Sequence, residues 1–408
     1  MNTGDTAWVL ASTGLVMLMT PGLAFFYGGM VRRKNVLGIL MQCFTILCVL
    51  SIQWVLFGYS LAFAPAKGFW GGFSWAGLCG VGLDAYKDYG PTIPHQAFMI
   101  FQAMFAVITP ALIIGAFAER MKFSAFLLFT LLWATFVYDP IAHWVWGVGG
   151  WLRDLGALDF AGGTVVHVNA GMAALAAALV LGKRKGYEKK PIPPHNLPHV
   201  VLGTALLWFG WFGFNAGSAL AANGLAVSAF VVTNTAAATA GLTWACIEWI
   251  HNGKPTIFGG ATGAVAGLVA ITPAAGFVGP LSAIVIGVFV SIFCYLMVAL
   301  VKPALGYDDS LDVFGVHGIG GMWGALATGL FATKLINPDG ANGLFFGNPK
   351  QLLVQAAAVA VSVVYSFVAT LIICKVVDWI IGLRVTEKDE IMGLDLTQHN
   401  ENAYTLLE

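Results

Sequence analysis

The sequence is short of charge. Only 10% of its 408 residues are Asp, Glu, Lys or Arg, where an ordinary soluble domain carries about 25%. With 20 basic and 20 acidic residues the formal net charge is zero, so the chain lacks the basic face that nucleic acid or another strongly acidic partner requires. The six cysteines form no CxxC pair and no metal-ligand spacing, which argues against a disulfide framework and a zinc-finger-type site. Cys43, Cys48, Cys246, Cys294 and Cys374 fall in apolar runs, where packing is their expected job, and Cys79 sits between such runs without an evident partner. None of the 50 glycines stands in a strand–turn–helix context with a following lysine, so no phosphate loop is indicated. The start, Met1-Asn2-Thr3-Gly4-Asp5, has no basic n-region, and the first apolar run is expected to be a retained helix.

What is abundant is apolar surface. At 58% hydrophobic residues and a mean hydropathy of +0.81, the chain reads as an all-α integral membrane protein. Apolar runs of about 20 residues, enough to cross the hydrocarbon core, alternate with short polar punctuation. They predict helices near 6–31, 36–62, 96–118, 123–143, 160–182, 197–220, 225–250, 256–274, 279–301, 311–333 and 351–383. Eleven spans put the two termini on opposite sides. Arg32, Arg33, Lys34, Arg120, Lys122, Lys183, Arg184, Lys185, Lys189, Lys190, Lys254, Lys302, Lys375, Arg384 and Lys388 fall at one set of helix ends. Only Lys67, Lys87, Arg153, Lys334 and Lys350 fall at the other. The positive-inside rule then predicts the N-terminus outside and the C-terminus inside. Residues 1–383 form the membrane domain and 384–408 a cytoplasmic tail.

Two stretches organise this domain. Asp159 is followed eight residues later by His167, and Asp309 eight residues later by His317, with mostly apolar or small residues between. Eight helical residues rise about 12 Å, so an Asp capping each helix at the membrane surface would set each His near the midplane. Either histidine alone reads as a satisfied packing residue. The pair, with matching caps, reads as two ionisable groups facing an interior pathway. Asp159 begins the fifth span and Asp309 the tenth, which run in opposite directions. Five spans plus five inverted spans, about 6–182 and 197–333, is the pattern of an inverted-repeat transporter, with 351–383 an added helix. For Asp309 the cap is the favoured role; Asp159, on the outer side, admits an electrostatic role as well.

Aromatic residues gather on that outer side. Phe101 and Phe105 share a helix face, Trp146 closes the fourth span, and Phe214 and Ser218 stand four apart on the sixth, near Trp211. At a membrane boundary such residues form the ordinary interfacial belt. Beside a hydroxyl acceptor they also suit a small cation, which gains cation–π attraction from the rings and a hydrogen bond from Ser218.

Across nearly the whole length, these residues resemble ammonium transporters of the Amt/Mep/Rh superfamily. The resemblance is carried by Phe25-Phe26-Tyr27-Gly28-Gly29, Ala118-Glu119-Arg120, Asp159 through Asn169, Pro194-His195-Asn196-Leu197-Pro198, Gly210 through Ser218, Asp312 through Gly318 and Gly393-Leu394-Asp395. It implies a homotrimer of eleven-helix protomers in the cell membrane, each with its own pore, and no cofactor or enzymatic activity. By the same resemblance, Trp146, Ser218, Phe101 and Phe105 are the outer ammonium-recruitment site, supported by Asp159. Phe105 and Phe214 are a stacked phenyl gate, His167 and His317 a twin-histidine relay, and Trp211, Phe26 and Tyr27 pore-lining residues. Trp146 with Ser218 is similar to the Amt branch more than the Rhesus branch, and methylammonium is the expected analogue. Gly393, Asp395 and Thr397 look like part of a regulatory tail that contacts a neighbouring protomer, at a face where PII-type signalling proteins dock in prokaryotic members.

Two other classes fit the sequence less well. A pure sensor should carry an output module, and only 25 residues follow position 383. A zinc enzyme built on His167 and His317 would need a third ligand, and no carboxylate or cysteine is evident at that depth.

Overall fold

The computed structural model describes residues 1–187 and 192–404. Lys189 and Lys190, and the last four residues of the tail, lie outside the described residues. Among those described the regular structure is helical and no strand forms. Among the described residues nine helices are long and apolar enough to cross a membrane. In chain order the helices are α1 (Thr3–Met30), α2 (Arg33–Phe63), α3 (His95–Phe117), α4 (123–146), α5 (Gly163–Leu181), α6 (Leu197–Ala219), α7 (Gly224–Asn252), the shorter α8 (Ile257–Ile271), α9 (Pro280–Leu305), α10 (314–331) and α11 (Pro349–Ile381). Two short helices, α12 (Glu387–Met392) and α13 (Leu394–His399), make up the tail. Helix α4 reaches three residues beyond its expected end and so carries Trp146 within its last turn.

The inside-out character of the chain follows from its solvent. Large apolar side chains such as Leu281, Ile250 and Trp379 are exposed, at 80%, 87% and 87%, because lipid tails are as apolar as they are. The helices therefore approach through small residues and backbone contacts. Helix α1 packs along α6, α7 against α8 and α9, and α11 against α5 and α10. Helix α3 is buried along almost its whole length and runs through the centre of the bundle.

One very close approach is between α5 and α10. A methyl group on Gly171 would come within 2.2 Å of Gly318 N, and one on Gly321 within 2.9 Å of Val168 N. Only glycine leaves room for such contact. Both helices open with wide π-type turns, Gly163–Val168 and Phe314–Gly318, so the rise from cap to histidine is not that of the regular α-helix expected from the spacing. Each wide turn contains its histidine.

Candidate functional site

Each histidine-bearing helix is started by its aspartate. The Asp159 carboxylate accepts hydrogen bonds from the backbone N–H groups of Gly162 (2.7 Å), Gly163 (2.6 Å), Thr164 (2.8 Å) and Val165 (3.2 Å), and from the Thr164 hydroxyl. The chain turns through Gly162 at φ +114°, a conformation that strains any other residue. Asp309 Oδ2 accepts the Phe314 N–H at 2.7 Å, and Lys302 Nζ donates to the Asp309 backbone carbonyl and to Asp312 Oδ1, both at 2.6 Å. The Asp159 carboxylate is thus saturated by the turn it caps, which leaves it no free oxygen for a guest.

The structure brings His167 and His317 together. Their Nδ1 atoms stand 3.3 Å apart, the rings are 5.3 Å apart between centroids and 24° from parallel, and both are fully buried. Two Nδ1 atoms at this distance share one proton, one ring donating and the other accepting. His167 is also stacked on Trp211, at 5.5 Å and 20°, while Trp211 Nε1 donates to Thr272 Oγ1 at 2.8 Å and is thereby fixed. Nε2 of His167 is buried without a hydrogen-bond partner among the described residues.

Above the histidines two rings close the passage. Phe105 and Phe214 lie 4.3 Å apart at 35°, with Phe214 6.1 Å from His167 and both phenyl rings buried. On the far side of this pair is a cavity of about 270 Å³ lined by Phe105, Trp146, Asp159 and Ser218, among others. Trp146 stands edge-on to Phe105 at 5.9 Å, and its Nε1 donates to the Asp159 backbone carbonyl at 2.8 Å. The Ser218 hydroxyl donates to Phe214 O at 2.8 Å, so its lone pairs are what remain for a guest. Phe101 packs edge-on to Phe105 at 5.0 Å but is fully buried, behind the cavity wall. Below the histidines, Phe26 and Tyr27 line a void of only about 10 Å³ together with His317 and Asp312. A wider cavity of about 630 Å³ follows, bordered by Lys183, Arg184, Lys302 and Asp312.

The tail is docked at this wider end. The Leu394 N–H donates to Asn35 Oδ1 at 2.8 Å, and Asp395 Oδ1 accepts the Gly38 N–H at 2.8 Å, capping the start of α2. Thr397 Oγ1 turns back on the Gly393 carbonyl at 3.0 Å, and Gly393 itself, at φ +113°, leaves no room for a side chain beside Lys34. Beneath the tail lies a buried charge network that the sequence had suggested only as a motif. Glu119 accepts from Arg32 and Arg184 at 3.0 Å each, and Arg184 reaches Asp308 at 2.9 Å. Burial alone would raise the Glu119 carboxyl, but the guanidinium groups of Arg184 and Arg32 hold it below the usual range.

Comparison with known proteins agrees with this geometry. The model of the ammonium transporter family matches residues 7–404. The chain belongs to the ammonium transporter family. It is 56% identical over 404 residues to the ammonium transporter of Bacillus subtilis, covering 99% of each chain. It is 52% identical over 408 residues to ammonium transporter Amt1 of Archaeoglobus fulgidus, covering 99% of this chain and all of the relative. Among solved structures, Mep2 of Candida albicans superposes with a TM-score of 0.91 at 40% identity, over 99% of this chain and 90% of that one. A protein described as a sensor Amt protein superposes with a TM-score of 0.88 at 30% identity, over 97% of this chain and 98% of that one. Family membership supports ammonium transport by a multi-pass membrane protein.

Proposed function

We propose that the chain is an eleven-span pore of inverted five-plus-five design, N-terminus outside, that recruits ammonium in the Trp146 cavity and passes it inward as ammonia. The observation that carries the reading is the succession of cavity, phenyl pair and histidine pair. A bare ammonium ion in a lumen walled by phenyl rings would face a Born penalty on the order of 20 kcal/mol before relaxation, and two neutral imidazoles cannot replace its water shell. Desolvation favours loss of the proton, so the lower path is to give up H⁺ near the Phe105–Phe214 gate and cross as the neutral base. In the cavity, Trp146 and Phe105 offer aromatic faces and Ser218 an acceptor. Asp159 acts from behind, holding the helix start and, through its backbone carbonyl, the indole of Trp146. His167 and His317, sharing one proton between Nδ1 atoms, accept and hand on the ammonium proton, so net charge moves with each molecule.

The protomer works as a homotrimer in the cell membrane, with methylammonium as an analogue substrate. The tail, 384–408, regulates the pore from the cytoplasmic face, where a PII-type protein is the proposed partner. The test is a current recording on proteoliposomes given an ammonium gradient. A sustained inward current supports the reading, and ammonia uptake without current removes the proton relay. A sensing role is the second reading, favoured by the structural likeness to the sensor Amt protein. It predicts ammonium binding without measurable flux.

A further inference from the structure

Gln102 lies in α3 one turn before Phe105, and only 9% of it is exposed. It lines the same cavity as Phe105, Trp146 and Ser218. Its carbonyl oxygen, Oε1, is buried and has no hydrogen-bond partner among the described residues. A buried amide oxygen left without a donor is destabilising, and such orphans call for an explanation.

Neither the Trp146 indole nor the Ser218 hydroxyl, which line the same cavity, donates to Gln102. The Trp146 indole N–H goes to the Asp159 carbonyl, and the Ser218 hydroxyl hydrogen goes to Phe214 O. The Asp159 carboxylate is filled by the backbone of its own turn. Acceptor capacity remains on two neutral side chains, in the Ser218 lone pairs and the Gln102 carbonyl. The last side-chain torsion of an amide is soft, and a half turn about it exchanges oxygen and nitrogen, so Gln102 can present its oxygen to the cavity it lines. Such a site matches a guest that carries N–H donors and no acceptor.

We infer that Gln102 is a second hydrogen-bond acceptor for the protonated guest, joining Ser218 in replacing the water that ammonium sheds before the phenyl gate. This rests on the recruitment reading proposed above and adds a residue to it. Ammonium has four N–H donors and methylammonium three, so both can engage two neutral acceptors while facing the rings. A neutral acceptor serves this step well, because a carboxylate there would hold the ion instead of releasing it to the gate.

The experiment measures current against ammonium concentration for wild type, Gln102→Met, Gln102→Glu and Ser218→Ala in proteoliposomes, with assembly checked by gel filtration. Met matches Gln in length without its polar atoms. Gln102→Met should raise the half-saturating concentration about tenfold, for ammonium and methylammonium alike, with saturating current little changed. Gln102→Glu keeps the acceptors and adds charge, so it should saturate at or below the wild-type concentration. If Gln102→Met leaves half-saturation unchanged while Ser218→Ala raises it, the recruitment cavity stands and the inference about Gln102 is wrong. A lower saturating current with unchanged half-saturation shows a packing role and also overturns it. Where the Met variant does not assemble, a raised half-saturation in Gln102→Glu overturns it. Should neither Gln102→Met nor Ser218→Ala move half-saturation, the recruitment reading fails and this inference with it.

Discussion

Gly171 is packed against the backbone of Gly318, so closely that a methyl group on Gly171 would lie 2.2 Å from Gly318 N and 2.3 Å from its Cα. His317 is the residue before Gly318, and His167 sits one helical turn before Gly171, so this contact sets how near the imidazoles come. Gly171→Ala must push α10 away, since the obstacle is backbone and cannot rotate aside. Overpacking of this kind costs about 1–3 kcal/mol. A shift of a few tenths of an ångström in a 3.3 Å contact breaks the shared proton. The variant should insert and assemble but lose most of its ammonium current. A current equal to wild type would show that the histidines need not touch.

The cavity on the other side of the gate should control affinity. Trp146→Leu removes a ring standing 5.9 Å from Phe105, and Ser218→Ala removes an acceptor. Together they should cost about 1–3 kcal/mol of recruitment, raising the half-saturating ammonium concentration about ten- to a hundredfold. The concentration dependence of current in the double variant measures this, and an unchanged curve would move recruitment elsewhere.

How far these sites could be read from the sequence depended on range. The long helices were legible because a run of about 20 apolar residues has few other uses. The pairing of His167 with His317 was legible through two matching local patterns, Asp followed by His, even though the residues stand 150 apart. The wide π-type turns that hold them were not, because the Asp-to-His spacing is the same whether the turn between is α or π. Nor did isolated polar residues in apolar runs stand out. Gln102 is one, and Gln53 with Asp139 is another, a buried pair between α2 and α4 at 3.0 Å. Asp139 is also a carboxylate within the membrane-spanning bundle, where the sequence had drawn attention to none. The tail motif was noticed, but its partner, the start of α2, lies 357 residues away from Asp395 and leaves no local mark.

The two capping aspartates are predicted to differ in weight. Asp159 closes four backbone N–H groups and the Thr164 hydroxyl, and through its carbonyl it fixes Trp146. Among the described residues Asp309 takes the N–H groups of Phe314 and Val313 alone, with Lys302 bound to its carbonyl. Asp159→Ala should therefore abolish current or assembly, and Asp309→Ala should lower current with assembly intact. Equal losses in parallel transport and gel-filtration measurements would reduce both to interchangeable helix caps.

At the tail end, protonation should undo what Glu119 holds. Its folded-state pKa is depressed, so its stabilising contribution is fully present above the ordinary carboxylate value of about 4.3 and is lost as pH falls through the lower folded value. Losing the charge removes one partner each from Arg184, which keeps Asp308, and from the partly exposed Arg32, at a cost of about 1–3 kcal/mol. Asn35 links Glu119 to the Leu394 N–H, so the tail should loosen with it. Glu119→Gln should expose residues beyond Arg384 to protease at neutral pH, and wild type should do so only below the ordinary carboxylate range. Removing the tail after Arg384 should leave an inserted protein with reduced current. A tail equally protected in the Gln variant would separate the network from docking.

Selectivity is where the histidine pair should matter most. Potassium is close to ammonium in size and can visit the Trp146 cavity, but it has no proton to give up and would have to pass the Phe105–Phe214 pair, 4.3 Å between centroids, fully charged. It should be excluded by wild type. In His167→Ala the proton loses the acceptor next to the gate, so ammonium current should fall steeply while the half-saturating concentration stays near wild type. His317→Asp acts differently. A carboxylate in place of a neutral imidazole draws water into the lumen and puts a fixed negative charge near the midplane, which lowers the barrier for any small cation. That variant should carry potassium. Currents are recorded under separate ammonium and potassium gradients for the three proteins, each shown to assemble. Full, potassium-excluding ammonium current in His167→Ala would mean that the relay is wrong and that discrimination is completed in the cavity and gate formed by Trp146, Phe105 and Phe214.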